Sequence, residues 1–319
     1  MYLRDKFKKM NFLLIIGGLI LLILGGNWLL KSAVALSLKL EIPKIIIGMT
    51  VVSFATSAPE LIVSINAALN GSSDLALGNV IGSNIANLGL VLGITLLFGS
   101  MYITKSFYKV DWPIMMIASA LLYLFLYTDK VIEQFEGIIL FSLLIIFLIY
   151  LLKYQKTAVI DELPEDDVLL PLYKTVLFFI LGGLGLYGGS ELLIKGATAL
   201  AVEYGVTERV IAVTIVSIGT SIPELTASII AVIKKEKAIS LGNLIGSNIF
   251  NIFAVLGITS IITPIPITDE RLLTNDIFWM LGISFIILPL VFLTKKLRLS
   301  WREGLLLIIA YCAFIYQTV

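Results

Sequence analysis

The chain has 319 residues, of which 59% are hydrophobic and only 14% are charged, with a formal net charge of +1. Soluble domains carry about 25% charged residues, so this composition predicts a protein embedded in a membrane. The absence of histidine and the single cysteine exclude a histidine-based catalytic triad, a His/Cys metal site and an internal disulfide. The near-zero net charge provides no electrostatic basis for binding nucleic acid.

Continuous apolar segments rich in leucine and isoleucine follow one another along the chain. A membrane-spanning helix needs about 20 apolar residues, whereas barrel strands would alternate polar and apolar side chains. The expected fold class is an all-α integral membrane protein with ten transmembrane helices, and neither a cofactor nor a protein partner is indicated. The predicted spans are 12–38, 43–69, 75–98, 111–128, 132–152, 174–202, 207–233, 238–262, 272–293 and 300–318.

The first span raises the question of a cleaved leader. Basic residues between positions 4 and 9 precede an apolar run whose residues 33–35 resemble a secretory cleavage site. The run is long for a signal peptide, and residues 30–33 resemble residues 194–197 deep inside the chain. We therefore interpret this segment as a span.

Lysine and arginine counts predict the orientation in the cell membrane. The connections after the odd-numbered spans hold 14 of these residues, and both termini with the remaining connections hold seven. Because cytoplasmic loops are enriched in positive charge, we expect both termini to be extracellular and the odd-numbered connections to be cytoplasmic.

The longest connection, residues 153–173, is expected to be a cytoplasmic linker between a first half, 1–152, and a second half, 174–319. It is too short to hold a folded regulatory domain, so a solvated linker is favoured over a calcium-sensing segment. Its acidic residues are Asp161, Glu162, Glu165, Asp166 and Asp167.

The two halves contain an internal repeat. Residues 50–95 match residues 214–259 without a gap at 25 of 46 positions, and the repeated units cover about 43–98 and 207–262. The copies begin on spans 2 and 7, so the second enters the membrane in the opposite direction. Two inverted-topology five-helix repeats are typical of alternating-access transporters, whose binding site lies near the membrane midplane.

Polar residues in the repeats recur at helical spacing, which places them on one face of each helix. Serine and asparagine also help membrane helices to pack, but an ionisable group inside the membrane is costly and marks a functional path. Glu60 and Glu224, at equivalent positions of the two repeats, therefore predict a site. The stripes are Ser53, Thr56, Ser57, Glu60 and Ser64; Ser217, Thr220, Ser221, Glu224 and Ser228; Asn79, Ser83 and Asn87; and Asn243, Ser247 and Asn251.

A proline precedes each of these glutamates. Pro59 and Pro223 lack the N–H that would bond to the carbonyls of Ala55 and Gly219, so we expect helix kinks with freed oxygens there. Carboxylates, hydroxyls, amide oxygens and carbonyls together suit a hard cation. Two carboxylates balance one Ca²⁺ or two Na⁺, which is a physical basis for exchanging these ions as substrates.

Other polar and glycine positions favour structural roles. Lys31, Lys195 and Glu191 lie toward the ends of spans 1 and 6, where long side chains reach the membrane interface. Pairs of glycines in the same two spans predict packing and sliding surfaces rather than phosphate-binding loops. These pairs are Gly17-Gly18, Gly25-Gly26, Gly182-Gly183 and Gly188-Gly189.

The repeated segments resemble the calcium/cation antiporter superfamily and, within it, the sodium/calcium exchanger family. The resemblance rests on residues 56–60 with 220–224 and on residues 77–87 with 241–251, which match a G-T-S-x-P-E/D signature and a following G-N-x-x-G-S-x-x-x-N/D segment. It covers all ten predicted spans. It implies Na⁺-driven Ca²⁺ antiport in which spans 1 and 6 slide as a pair over the other eight.

The resemblance also implies roles for individual residues. Glu60 and Glu224 would bind Ca²⁺ and share Na⁺, helped by the backbone oxygens of Thr56 and Thr220. Asn87 and Asn251 would lie in the middle of the cluster. The flanking Na⁺ sites would be lined by Ser57, Ser221, Ser83 and Ser247.

Three positions depart from the family pattern. Ala55 stands where the signature has glycine, which indicates a looser helix approach. Ser53 and Ser217 replace an alanine of some relatives and add ligands or simply pack. Asn251 stands where potassium-dependent relatives have aspartate, which favours a potassium-independent exchanger.

The sequence leaves other functions open. An H⁺/Ca²⁺ antiporter would protonate the same two glutamates instead of binding Na⁺. An intramembrane hydrolase using Ser57 or Ser221, or a cation channel, is a remote alternative, because the first lacks a histidine base and neither explains the duplication.

Overall fold

A computed structural model describes residues 2–154, 170–204, 217–293 and 297–318. This part of the chain is almost entirely helical. The α-helices are α1 (Tyr2–Leu40), α2 (Lys44–Ile47), α3 (Ser53–Thr56), α4 (Ala58–Leu69), α5 (Ser73–Ala86), α6 (Leu92–Phe98), α7 (Trp112–Asp129), α8 (Gln134–Tyr154), α9 (Leu172–Glu203), α10 (Ser217–Thr220), α11 (Ile222–Ile233), α12 (Lys237–Phe250), α13 (Gly257–Ile262), α14 (Ile277–Leu293) and α15 (Trp301–Thr318).

Short π-helical segments join several of these helices into longer rods. They are Gly48–Val52 between α2 and α3, Asn87–Val91 between α5 and α6, Phe107–Asp111 before α7, Asn251–Leu256 between α12 and α13, and Leu272–Asp276 before α14. A π-helical turn inserts a residue into the helix and is frequent at functional sites. Asn87 and Asn251, two predicted site residues, each begin such a segment.

Seven described segments are long and apolar enough to cross a membrane, and the bent pair Lys44–Thr56 and Ala58–Leu69 makes an eighth. The predicted all-helical membrane class is therefore confirmed, while the count of ten remains a prediction. Of the other two predicted spans, 207–233 includes residues outside the described ranges, and 300–318 corresponds to the 18-residue α15. The acidic residues of the 153–173 linker also lie outside the described residues.

The segments of the repeat form the centre of the bundle. In Ser73–Phe98 and Lys237–Ile262, 78% and 83% of the most apolar window is buried inside the protein, against 33% and 28% in Met10–Leu40 and Leu172–Val202. Polar residues of the repeat are thus enclosed by protein, whereas α1 and α9 expose most of their apolar surface to the bilayer.

The long helices α1 and α9 pack antiparallel along most of their length, and glycines make their close approach possible. A Cβ on Gly25 would lie 2.6 Å from the backbone nitrogen of Leu186, and a Cβ on Gly182 would lie 2.6 Å from the backbone nitrogen of Leu29. Gly18 and Gly189 meet in the same way further along the pair. The predicted packing role of these glycines agrees with the structure, except that Gly17, Gly183 and Gly188 have no heavy atom within 4 Å of a Cβ position.

Two short antiparallel strand pairs tie the halves of the chain together. Met101 and Tyr102 pair with Leu299 and Arg298, and residues 131–132 pair with residues 265–266. Each pair joins a connection of the first half to a connection of the second half. The strands of the first pair follow α6 and α14, and the strands of the second pair follow α7 and α13.

Candidate functional site

The helix of each repeat breaks at the same serine. Ser57 separates α3 from α4 with φ −88° and ψ 1°, and Ser221 separates α10 from α11 with φ −88° and ψ 2°. The rods on either side of Ser57 meet at 44°. Pro59 and Pro223 follow within the first turn of α4 and α11, where a missing N–H costs no hydrogen bond, so the predicted kinks are present.

Glu60 and Glu224 lie just beyond these breaks, at the centre of the bundle. Both side chains are fully buried inside the protein, away from bulk solvent. Ser57 donates a hydrogen bond to Oε1 of Glu224 at 3.5 Å. Neither carboxylate oxygen of Glu60 has a hydrogen-bond partner among the described residues, and neither does Oε2 of Glu224.

Hydroxyl groups connect the first repeat to α12 of the second repeat. The hydroxyl of Ser53 donates to the carbonyl of Asn243 at 2.9 Å. The hydroxyl of Thr56 donates to Oδ1 of Asn243 at 3.1 Å and lies 3.3 Å from that of Ser247. Gly242 and Gly246 make this approach possible, since a Cβ there would meet the backbone around Met49.

Four asparagines form a reciprocal cluster across the repeat. Asn87 donates to Oδ1 of Asn248 at 3.2 Å, and Asn251 donates to Oδ1 of Asn84 at 3.0 Å. Asn84 and Asn248 also donate to each other's backbone carbonyls, at 3.2 and 3.4 Å. These bonds fix the amide groups of Asn87 and Asn251 so that their own Oδ1 atoms have no partner among the described residues.

Asn84 and Asn248 were not among the predicted site residues. The sequence signal was available, because both are identical in the two aligned copies. They fall outside the i, i+4, i+8 stripe of Asn79, Ser83 and Asn87, and only their contact across the repeat reveals their role. Asn79 supports the site more directly, because its amide donates to the backbone carbonyl of Glu60 at 3.3 Å.

Seven buried oxygens of the site have no hydrogen-bond partner among the described residues. They come from two carboxylates, two amides and two hydroxyls, so every one of them is a lone-pair donor to a cation. Leaving such atoms buried without a partner is costly, and a bound hard cation would satisfy them. The atoms are Oε1 and Oε2 of Glu60, Oε2 of Glu224, Oδ1 of Asn87, Oδ1 of Asn251, Oγ of Ser83 and Oγ of Ser221.

The charge of this cluster is limited to the two glutamates. Among the described residues, no group of three or more His, Cys, Asp or Glu side chains is placed to hold a metal ion. The neutral amide and hydroxyl oxygens therefore have to complete the coordination, a combination that hard cations such as Ca²⁺ and Na⁺ accept.

The two halves of the site differ at the kink. The carbonyl of Gly219 accepts a hydrogen bond from the hydroxyl of Ser190 on α9 at 2.7 Å. A Cβ on Gly219 would lie 2.5 Å from Ile194, also on α9. In the first repeat, Ala55 replaces the glycine and Gly26 stands at the position aligned with Ser190. One freed carbonyl is thus bound by α9, which the sequence did not predict.

The structure brings most of the predicted site residues into one cluster. Two others, Thr220 and Ser217, lie at the two ends of the short helix α10. Thr220 ends α10 next to Ser221. Ser217 begins the same helix, but its side chain lies outside the described residues. The residues gathered around the glutamates are Ser53, Thr56, Ser57, Ser83, Asn87, Ser221, Ser247 and Asn251.

Comparison with known proteins relates this chain to ion exchangers. The family profile described as sodium/calcium exchanger protein matches residues 10–153 and 174–319. The putative antiporter CaxA of Alkalimonas amylolytica is 36% identical, covering 94% of this chain and 95% of the relative. The sodium/calcium exchanger MaX1 of Methanosarcina acetivorans is 29% identical, covering 96% and 97%. A solved structure of the sodium-calcium exchanger NCX_Mj superposes with a TM-score of 0.82 at 25% identity, covering 97% of this chain and 98% of that one.

Proposed function

This chain belongs to the sodium/calcium exchanger family, and from that membership we propose that it is a secondary active antiporter that exchanges Na⁺ for Ca²⁺ across the membrane. The single observation that supports this most strongly is the buried cluster of cation-ligand oxygens around Glu60 and Glu224. The family consists of exchangers rather than enzymes, so a hydrolase using Ser57 or Ser221 is set aside.

The two carboxylates explain why one ion can replace the other. Both are buried inside the protein, where an unbalanced charge is strongly unfavourable. One Ca²⁺ or two Na⁺ neutralise them, so the protein alternates between two loaded states of equal charge. A protein whose site is empty and doubly charged is too unstable to change its access from one side of the membrane to the other. The inward movement of one ion is therefore coupled to the outward movement of the other.

We assign the central position to Glu60 and Glu224, with backbone oxygens of Thr56 and Thr220 as further ligands. Asn87 and Asn251 border this position and orient its oxygens through Asn84 and Asn248. Hydroxyls of Ser57, Ser83, Ser221 and Ser247 line flanking Na⁺ positions, and the hydroxyl of Ser53 ties its helix to α12. The assignment is favoured by unpartnered oxygens on Ser83 and Ser221.

Alternating access in this proposal is a movement of α1 and α9 as a pair. The glycine contacts hold the two helices together, while their outer faces are apolar and exposed to lipid. The hydrogen bond from Ser190 to Gly219 joins α9 directly to the kink beside the ion site. A displacement of the pair would therefore open a path on one side of the site and close it on the other.

The proposed arrangement has ten transmembrane helices in two inverted five-helix repeats, with both termini outside and residues 153–173 in the cytoplasm. It is supported by the matched breaks at Ser57 and Ser221 and by strand pairs that each join the two halves of the chain.

The test is uptake of radioactive calcium into proteoliposomes loaded with Na⁺, K⁺ or choline, with and without a pH gradient. We expect uptake only from Na⁺-loaded vesicles, saturating with external Ca²⁺ and insensitive to K⁺. Uptake that follows the pH gradient and ignores internal Na⁺ would identify an H⁺/Ca²⁺ antiporter and overturn the proposal. Flux that does not saturate or need a counter-ion would identify a channel.

A further inference from the structure

A basic cavity lies apart from the ion site, at the end of the bundle where α1 passes the beginning of α9. It has a volume of about 460 Å³ and is bordered by α1, by the start of α9 and by the turn between α11 and α12. Three lysines from these separate elements line it: Lys31, Lys174 and Lys234. Nothing in the exchange mechanism uses them.

Among the residues that the structure describes, the positive charges of the cavity are not balanced. All three lysines are exposed to solvent or lipid, and none of them forms an ion pair with a described residue. The one acidic side chain in the lining, Glu236, already forms an ion pair with Lys44 at 2.8 Å. The described lining of the cavity therefore carries a net positive charge.

Apart from the polar side chain of Asn27, most of the remaining lining is apolar. Leu30, Val34 and Phe178 form its walls, and the ammonium of Lys31 lies 5.9 Å from the centre of the Phe178 ring. Lys31 lies within the apolar run of α1 and reaches the cavity with a long side chain, as lysines near the membrane interface do. A ligand that fits has a negatively charged head beside the lysines and a hydrocarbon chain along the partly exposed Val34 and Phe178.

We propose that this cavity binds the headgroup of an anionic phospholipid. Basic pockets between transmembrane helices near the membrane surface bind such headgroups, and the bilayer supplies the ligand at high local concentration. The headgroup would touch both α1 and α9 on one side and Lys234 on the other. Because the proposed movement separates these elements, a bound lipid stabilises the arrangement present in this structure and slows exchange.

The test compares the full-length wild type with a Lys31→Gln, Lys174→Gln, Lys234→Gln variant. A matched control, Lys105→Gln, Lys109→Gln, Lys153→Gln, removes the same charge from exposed lysines outside the cavity. Phosphatidylglycerol bound to detergent-purified protein is titrated by native mass spectrometry, with phosphatidylcholine and inorganic phosphate as separate arms. We expect the cavity variant, but not the control, to lose apparent affinity for phosphatidylglycerol by about tenfold or more.

Several results would overturn the proposal, and none of them depends on exchange activity. Equal phosphatidylglycerol affinity of the cavity variant and the control means that the cavity is not the site. Competition by inorganic phosphate at similar concentrations means a free-anion site rather than a lipid site. Binding that is seen only after the five acidic residues between 161 and 167 are changed to Asn and Gln means that the linker, and not lipid, is the occupant.

A second measurement separates this proposal from the exchange function. Initial exchange rates of the wild type are compared in phosphatidylcholine vesicles with and without phosphatidylglycerol, and we expect a severalfold slower rate with the anionic lipid that the cavity variant does not show. A protein that binds the lipid but does not exchange Na⁺ for Ca²⁺ refutes the proposed function and leaves the lipid site standing.

Discussion

Glu60 and Glu224 carry the electrostatics of the site, and each is predicted to be indispensable. A unit charge pair 4 Å apart is worth about 4 kcal/mol at the dielectric that applies near protein charges, and the partner here is a divalent ion. We expect Glu60→Gln and Glu224→Gln each to reduce the initial rate of Na⁺-driven Ca²⁺ uptake by about 100-fold or more.

The matched control for these variants is Glu270→Gln, since Glu270 is exposed and lies in a connection away from the site. All three proteins should elute from size-exclusion chromatography as the wild type does, because glutamine preserves the side-chain volume. Normal exchange by both site variants would show that the ions are bound elsewhere.

Ser190 is predicted to bias the access state rather than to bind an ion. Its hydroxyl joins α9 to the carbonyl of Gly219 at 2.7 Å, and such a bond contributes about 1 kcal/mol. Ser190→Ala should therefore change the ratio of the apparent Ca²⁺ affinities on the two membrane faces by about fivefold, with little change in the maximal rate.

Ser119→Ala is the control for Ser190→Ala, because Ser119 is equally buried but bonds only to Met115 within its own helix. The affinities are measured from inside-out and right-side-out vesicles. A sidedness ratio that moves equally in both variants, or in neither, argues against a link between α9 and the kink.

The contact between α1 and α9 is predicted to depend on individual glycines, and adjacent positions provide a sharp comparison. A Cβ on Gly182 would lie 2.6 Å from the backbone of Leu29, whereas a Cβ on Gly183 meets no heavy atom within 4 Å. Backbone cannot yield as a flexible side chain does, so Gly182→Ala should cost about 1–3 kcal/mol and slow exchange. Thermal unfolding in detergent and uptake assays check both effects, and Gly183→Ala should match the wild type. If the two variants behave alike, the helices do not approach as closely as the structure indicates.

The sequence predicts the long helices and the kinks beside Pro59 and Pro223, but it does not predict the π-helical turns. The segment predicted as 238–262 is observed from Lys237 to Ile262, because a continuous apolar run has few alternatives in a membrane. The segment predicted as 43–69 has its expected kink at Ser57, but it also contains the π-helical turn Gly48–Val52, which was not predicted. Pro59 predicts the break from the sequence. No residue preference predicts the π-helical turn, which packs against α12.

The sequence draws attention to the rare ionisable groups of the proposed ion site and gives little warning of its common polar groups. Two buried carboxylates among so few charges stand out in a sequence, and duplication identifies them. Asn84 and Asn248 look like ordinary polar residues until their reciprocal bonds across the repeat are seen. The hydrogen bond from Ser190 to Gly219 could not be predicted from the sequence either, since these two residues do not occupy equivalent positions of the repeat.

Two lysine–glutamate pairs mark the opposite ends of the molecule. Lys44 and Glu236 pair at 2.8 Å before α12 begins, and Lys130 and Glu270 pair at 2.6 Å beyond the end of α13. The hydrogen bond and charge of Lys130 lower the pKa of Glu270, so the carboxylate of this pair stays ionised to a lower pH than a free glutamate does. The 26-residue segment between the pairs is about 39 Å long at the rise of an α-helix, enough to cross the hydrocarbon core.

The proposed orientation assigns these ends to opposite sides of the membrane. In a Cys312→Ser background, which removes the single native cysteine, Lys235→Cys and Glu270→Cys introduce one thiol at each end. A membrane-impermeant maleimide added to intact cells should label the variant with cysteine at 270 and spare the variant with cysteine at 235 until the membrane is opened. Labelling of only the variant with cysteine at 235 would mean that the orientation is the reverse of the proposed one. The charge count of 14 against seven would then have been outweighed by the basic N-terminus. Labelling of both from outside would contradict a membrane crossing between them and, with it, the inverted arrangement of the two repeats.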